Sequence, residues 1–229
     1  MRISLHTAAP LALVLALTGA LGACGKDSPA GSEASSTPSP SVSTGGQSPS
    51  ASASDGGTTA SEPLAEAPWE SAEPAGGKLF EGHGFGFRAP EGWTDATQKA
   101  KELNQLVDLA AAAAPDKTGF ATNVNVVVAD AGVEDPTPDQ LEEVTKAITS
   151  RLDALVPKLE VNPTTALDGR PTLDHEGAAT KAGVNYYIHQ YVAFKGRNAY
   201  TITFSFSREA TPKQRQQVIN EVMASWSWR

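Results

Sequence analysis

Between Gly25 and Gly77 the chain is built of Ser, Thr, Ala, Pro and Gly, and this stretch decides where folding can occur. Val42 is its only large aliphatic residue before Leu64, and Trp69 its only aromatic. Such a sequence cannot bury enough apolar surface to offset the entropy lost on ordering. We expect residues 24–77 to form a disordered tether with a root-mean-square span of about 40 Å. Its many Ser and Thr residues leave two readings open, acceptors for O-linked sugar or a bare spacer. Trp69, between Pro68 and Glu70, is either docked on the folded part or loose. Folding then falls to residues 78–229, an ordinary single-domain length. A domain of about 150 residues buries roughly 68–70% of its unfolded surface, enough to hold itself together.

Ahead of the tether, Met1-Arg2 is followed by a short apolar run, Leu11 to Leu17, and then by Leu21-Gly22-Ala23-Cys24. That order describes a secretory signal ending at a cysteine. It resembles the lipobox of bacterial lipoproteins. The resemblance implies that residues 1–23 are a signal peptide and that Cys24 is alkylated with diacylglycerol. Cys24 then begins the mature chain at the outer face of the cell membrane. A thiolate is the side chain best suited to that alkylation. A membrane span needs about 20 apolar residues; this run is shorter and is bounded by Pro10 and Thr18.

Cys24 is the sole cysteine, so no disulfide can form within the chain. The formal charge is −8, and close to −9 once Arg2 leaves with the signal. An acidic surface argues against nucleic acid, which needs a basic footprint. It argues equally against adhesion to anionic lipid. The membrane is engaged through the acyl chains on Cys24, at about 0.8 kcal/mol per buried CH₂.

Within the folded part, Phe85-Gly86-Phe87 reads as a strand and Ala89-Pro90-Glu91-Gly92 as a turn. Asp95 and Gln98 read as a capping box opening a helix. Leu103, Leu106, Val107 and Ala110 form its apolar face, and the alanines to Ala114 continue it until Pro115. A strand follows over Phe120 to Ala129, with Val124, Val126 and Val128 facing opposite to Asn123 and Asn125. Thr137-Pro138-Asp139-Gln140 caps a second helix with the stripe Leu141, Val144, Ile148, Leu152 and Leu155. Three hairpins are expected next, turning at Asp168-Gly169, near Lys181-Ala182-Gly183, and at Lys195 to Asn198. Thr211-Pro212-Lys213-Gln214 caps a final helix burying Val218, Ile219 and Val222. Strands outnumber helices and join by short turns, which predicts an α+β domain around a mainly antiparallel sheet.

Five segments together resemble the PsbP-like family and, within it, the LpqN-type lipoproteins of actinobacteria. They are Phe85 to Trp93; Asn123 to Val127; Leu167-Asp168-Gly169-Arg170-Pro171; Tyr200 to Phe204; and the closing helix ending Ser225-Trp226. The resemblance implies an α/β/α sandwich around an antiparallel sheet, and an accessory or binding role without catalytic residues. The fold serves too many partners to name one.

The residues point to no cofactor. No Gly-x-Ser-x-Gly elbow occurs. The glycines from Gly82 to Gly86 lead into a strand rather than a helix, unlike a phosphate loop. His83, His175 and His189 lack the spacing of a metal pair. His175 alternates with Asp174 and Glu176, which suggests a solvated edge. The acids from Glu134 to Glu143 meet a helix N-terminus favourably.

The remaining candidate is a binding face: Tyr187, His189 and Tyr191, with Thr201 and Thr203 beside them. Ile188, Val192, Phe194, Ile202, Phe204 and Phe206 are expected to form the core behind it. Aromatics mixed with hydroxyls can line a groove. The alternative is that the alanine-rich helix covers this face as core. The functional expectation is a non-enzymatic binding or assembly module for a cell-envelope protein. A carrier or sensor of a small apolar or lipidic ligand is the second reading.

Overall fold

The structure is a computed structural model and describes residues 64–229 apart from position 154. The signal, Cys24 and the tether up to residue 63 lie outside the described residues. A seven-stranded sheet dominates. Its order is β3 (Thr94–Asp95), β4 (Val107–Ala112), β5 (Asn123–Asp130), β9 (Asn198–Ser207), β8 (Val184–Lys195), β7 (Arg170–Lys181) and β6 (Glu160–Leu167). Every neighbouring pair in it is antiparallel. A smaller sheet joins β1 (Leu79–Gly82), β2 (Phe85–Arg88) and β10 (Ser227–Trp228). The domain is α+β, as its pattern predicts.

Both faces of the large sheet are covered, because successive strand residues point to opposite sides. On one side Val124, Val126, Tyr191, Ile202, Phe204 and Phe206 pack with the small sheet and α3 (Pro212–Ala224). On the other, Leu173, Ile188, Val192 and Phe194 pack beneath Val144, Ile148 and Leu152 of α2 (Pro138–Leu152). At the β4 end of that second side, Ala100 of α1 (Thr97–Leu103) meets Val107, Ala110 and Val127. Helices on both faces of one sheet give the α/β/α layering.

The two Thr-Pro-x-Gln starts behave as expected. Thr137 and Thr211 each accept from the backbone of Gln140 and Gln214, whose side chains reach back to the cap. The first helix does not. It begins at Thr97, has no side-chain cap and ends at Leu103, leaving Leu103 58% and Leu106 48% exposed. Val107 to Ala112 is a strand, paired through Ala110↔Asn125 and Ala111↔Val124. Alanine's helix propensity is overridden by tertiary context here. Ala111 packs under one face of the sheet and Ala110 under the other.

The tether expectation fails for residues 64–77. Ala65 forms a parallel bridge with Thr165, and its N–H donates to Thr164 at 3.1 Å. Ala75 donates to Glu221 of α3 at 2.9 Å. Trp69 is only 3% exposed, and its ring meets Tyr191 edge-on at 5.2 Å. This segment is a strap across the domain, and its apolar anchors explain why it orders.

Candidate functional site

Turn geometry fixes which residues meet. The β7–β8 turn has positive φ at both Ala182 (49°) and Gly183 (77°), as a two-residue I′ turn demands. It sets Asp174 opposite Tyr191 and Glu176 opposite His189. The β8–β9 turn is also two residues, Gly196 and Arg197, because Lys195 pairs with Asn198. Tyr191 therefore faces Ile202, and His189 faces Phe204.

This register corrects the expected face. Tyr187, His189 and Tyr191 share their side with Ile202, Phe204 and Phe206. Thr201 and Thr203 lie on the opposite side, with Val192 and Gln190. With Phe194 opposite Ala199, each odd-numbered residue of β8 faces an even-numbered one of β9, so the tyrosines share their side with the phenylalanines and not with the threonines. The covering layer is corrected too. The alanine run is strand β4, so Tyr191 is buried beneath the Trp69 strap instead.

On the first side the polar atoms close on one another. His189 Nε2 donates to Asp174 Oδ1 at 2.7 Å, and Nδ1 lies 3.6 Å from Glu176 Oε2. Asn162 Nδ2 donates to Asp174 Oδ1 at 3.1 Å and to Glu176 Oε1 at 3.5 Å. The Tyr187 hydroxyl donates to Glu176 Oε2 at 2.7 Å. His189 stacks on Tyr191 at 4.6 Å. The Arg215 guanidinium of α3 sits 3.6 Å above the Tyr187 ring, a cation–π contact. Burial and the Glu176 carboxylate push the Tyr187 phenol up to about 12. Burial raises the Tyr191 phenol as well. Tyr187, Glu176 and Arg215 are half-buried, so the network reaches solvent there. Asp174, Glu176, Asn162 and Arg215 were missed as members of this cluster. The signal was the Ala182-Gly183 turn, which by itself sets the β7–β8 pairing.

The second side is different. His175 is 0% exposed rather than on a solvated edge, because β6 and not β7 is the edge strand. Burial depresses its imidazole to about 4. A straight row crosses the sheet through Ala110, Asn125, Thr203, Gln190, His175 and Val161. Gln190 Nε2 donates to Thr203 Oγ1 at 3.0 Å, and Asn125 Nδ2 to the Thr203 carbonyl at 3.4 Å. Asn125 Oδ1, Gln190 Oε1, both His175 ring nitrogens and Ser205 Oγ are buried without a hydrogen-bond partner. Each such atom costs roughly 1–3 kcal/mol.

Elsewhere, His83 is exposed and its ring Nδ1 pairs with Asp108. Asp135 pairs with Arg170 at 3.3 Å and Glu142 with Lys146 at 2.6 Å, which ties down part of the acidic cluster. Among the described residues no group of three or more His, Cys, Asp or Glu is placed to hold a metal ion.

No family model matches the chain, and no curated protein matches it significantly. Solved structures with a similar chain path include LpqN of Mycobacterium tuberculosis, described as involved in cell envelope biogenesis. It is 11% identical, with a TM-score of 0.48 over 62% of this chain and 82% of that one. A cyanobacterial PsbP from Synechocystis is 16% identical, with a TM-score of 0.46 over 66% and 92%. A Bacteroides thetaiotaomicron protein is 15% identical, with a TM-score of 0.44 over 67% and 48%, so the alignment spans about half of that protein's length. The account of the fold rests on this chain's own strands and helices.

Proposed function

We propose that this chain is a lipoprotein anchored through Cys24 at the outer face of the cell membrane. Its domain serves as a non-enzymatic binding or assembly module for a cell-envelope protein. The anchor rests on Leu21-Gly22-Ala23-Cys24 behind a short apolar run. The observation that carries the binding role is the Tyr187–Glu176–Arg215 cluster, where a paired network meets solvent. Tyr and Arg give large contact area, and Tyr loses little rotamer freedom on contact. Here both are held from behind by Asp174, His189 and Asn162, so the surface is preorganised. His189 and Asp174 are positioning residues in this reading.

The test places a photo-crosslinking amino acid at Tyr187 in the full chain and irradiates native membranes. A discrete protein adduct is expected from that position and none from Asp168, at the far turn of β7. Equal labelling from both positions, or none from Tyr187, would refute the reading. Cys24→Ser should separately release the protein from the membrane fraction. A mutant of mature mass that still partitions with detergent would remove the anchor from the proposal.

A further inference from the structure

On the first side of the sheet the His189 ring is boxed in by opposite charge. We infer that its proton is a pH-operated latch on the Tyr187 surface. With the proton in place, the network of Asp174, His189 and Glu176 is closed and Tyr187 is held; losing the proton opens it. The latch depends on the Tyr187 reading only for its consequence, the control of partner binding by pH.

His189 is 5% exposed, so the protein supplies nearly all of its surroundings. Nε2 lies 2.7 Å from Asp174 Oδ1 and Nδ1 lies 3.6 Å from Glu176 Oε2. A neutral imidazole has one N–H and one lone pair. Whichever nitrogen holds the lone pair points it at a carboxylate. Only the doubly protonated ring turns an N–H towards both acids. The ring face acts in the same direction. It stacks on Tyr191 at 4.6 Å with 17° between the planes, which favours a cation over a neutral ring.

The charges around the ring leave room for that cation. β7 contributes Asp174 and Glu176, and β6 contributes Glu160, which stands opposite Glu176 in the row that ends at His189. β8 contributes the phenols of Tyr187 and Tyr191, and α3 contributes Arg215. Arg215 is spread between the Tyr187 ring and the Ala210 carbonyl, to which it donates at 2.8 Å. Among these described groups three carboxylates meet one guanidinium, and the His189 proton adds the second positive charge. His175, through the sheet, does not compete. Burial holds it at about 4, so it stays neutral where an imidazole ordinarily titrates.

Glu176 Oε2 is the shared atom: it faces His189 Nδ1 and accepts from the Tyr187 hydroxyl at 2.7 Å. Asn162 Nδ2 bridges both acids, at 3.1 Å to Asp174 and 3.5 Å to Glu176. Without the proton, Asp174 and Glu176 are like charges on one face of β7 with little water to screen them. Asp174 is buried and Glu176 half-buried, so Glu176 is the one that swings out and lets go of Tyr187.

The test is an NMR titration of the full mature chain in a zwitterionic detergent, with labelled histidine and tyrosine. At about pH 5.5 His189 is expected to carry both ring protons and at about pH 8.5 one, with the Tyr187 ring signals moving at the same midpoint. His189→Gln, which keeps a donor towards Asp174, should abolish that movement, and His83→Gln at the exposed histidine should leave it. The Tyr187 crosslink in native membranes should fall about tenfold over the same range and stay level in His189→Gln. The inference is overturned if His189 keeps one ring proton, or both, throughout the titration. It is also overturned if Tyr187 follows the carboxyl carbon of Asp174 or Glu176 instead, or still moves in His189→Gln. The titration of the unaltered chain decides the matter even if that variant fails to fold. If Tyr187 crosslinks to no protein at either pH, the binding role falls, while the NMR midpoints still decide the latch.

Discussion

The two sides of the central sheet are built from the same strands and treat polarity in opposite ways. On one side His189, Asp174, Glu176, Asn162 and Tyr187 bond to one another. On the other, Asn125, Gln190, His175 and Ser205 are more deeply buried, yet each leaves at least one atom without a partner in the protein. A closed network is a structural element: it fixes rotamers and rigidifies what stands in front of it. A buried polar group with no partner in the protein contributes less to stability than one held in such a network. The polar side chains of the two sides thus differ both in burial and in their partners.

The comparison can be broken in four places. The largest effect belongs to Trp69, which closes the first side over Tyr191. Trp69→Ala should lose about 3–5 kcal/mol, lowering Tm by roughly 10 °C in a thermal melt. An unchanged melt would show that the strap is not part of the core.

Next is His175 on the open side, with its imidazole depressed from 6.5 to about 4 by burial. The unfolded chain takes up this proton first. The stability His175 contributes is therefore complete above pH 6.5 and is lost as pH falls towards 4. About 3 kcal/mol is at stake. Urea midpoints should fall across that window, and His175→Leu should flatten the slope.

A smaller effect separates the sides directly. Asp174→Ala strips the buried His189 of its nearest carboxylate and should cost about 1–3 kcal/mol. Gln190→Met, on the open side, should be near neutral or slightly stabilising, because it removes an unmet oxygen. Equal losses in chemical denaturation would erase the distinction.

The smallest concerns Tyr187, whose phenol is pushed from 10 up to about 12. Its contribution is complete below pH 10 and is lost as pH rises towards 12. Tyr187→Phe should flatten that alkaline slope while barely moving the midpoint at neutral pH.

Local chemistry was legible in the sequence; which side of the sheet each strand residue faces was read less well. Thr137 with Gln140, and Thr211 with Gln214, announce two helices because a capping box is complete within four residues. Asp168-Gly169 announces its turn for the same reason, and both residues have positive φ. The alanines of β4 misled because their partners, Val124 and Asn125, lie across a loop that propensity does not see. The Tyr face misled through alternation: the expected loop already sets Phe194 opposite Ala199, and that pairing brings Phe204, not Thr203, opposite His189. The unmatched row had no local signature at all. It exists only when Asn125, Thr203, Gln190 and His175 are brought together from four strands.

The strap has a mechanical consequence. Under the proposed anchor at Cys24, any tug along the chain would reach the domain through residues 64–77. Here the load would arrive first at the Ala65–Thr165 bridge and then at Trp69, before any strand of the sheet interior. Trp69 bears on Tyr191, and Tyr191 lies flat against His189. Tension from that proposed anchor would thus pass to the polar cluster around Tyr187, with the strap as a force-bearing clasp. Peeling it away would loosen that surface while leaving the seven-stranded sheet intact.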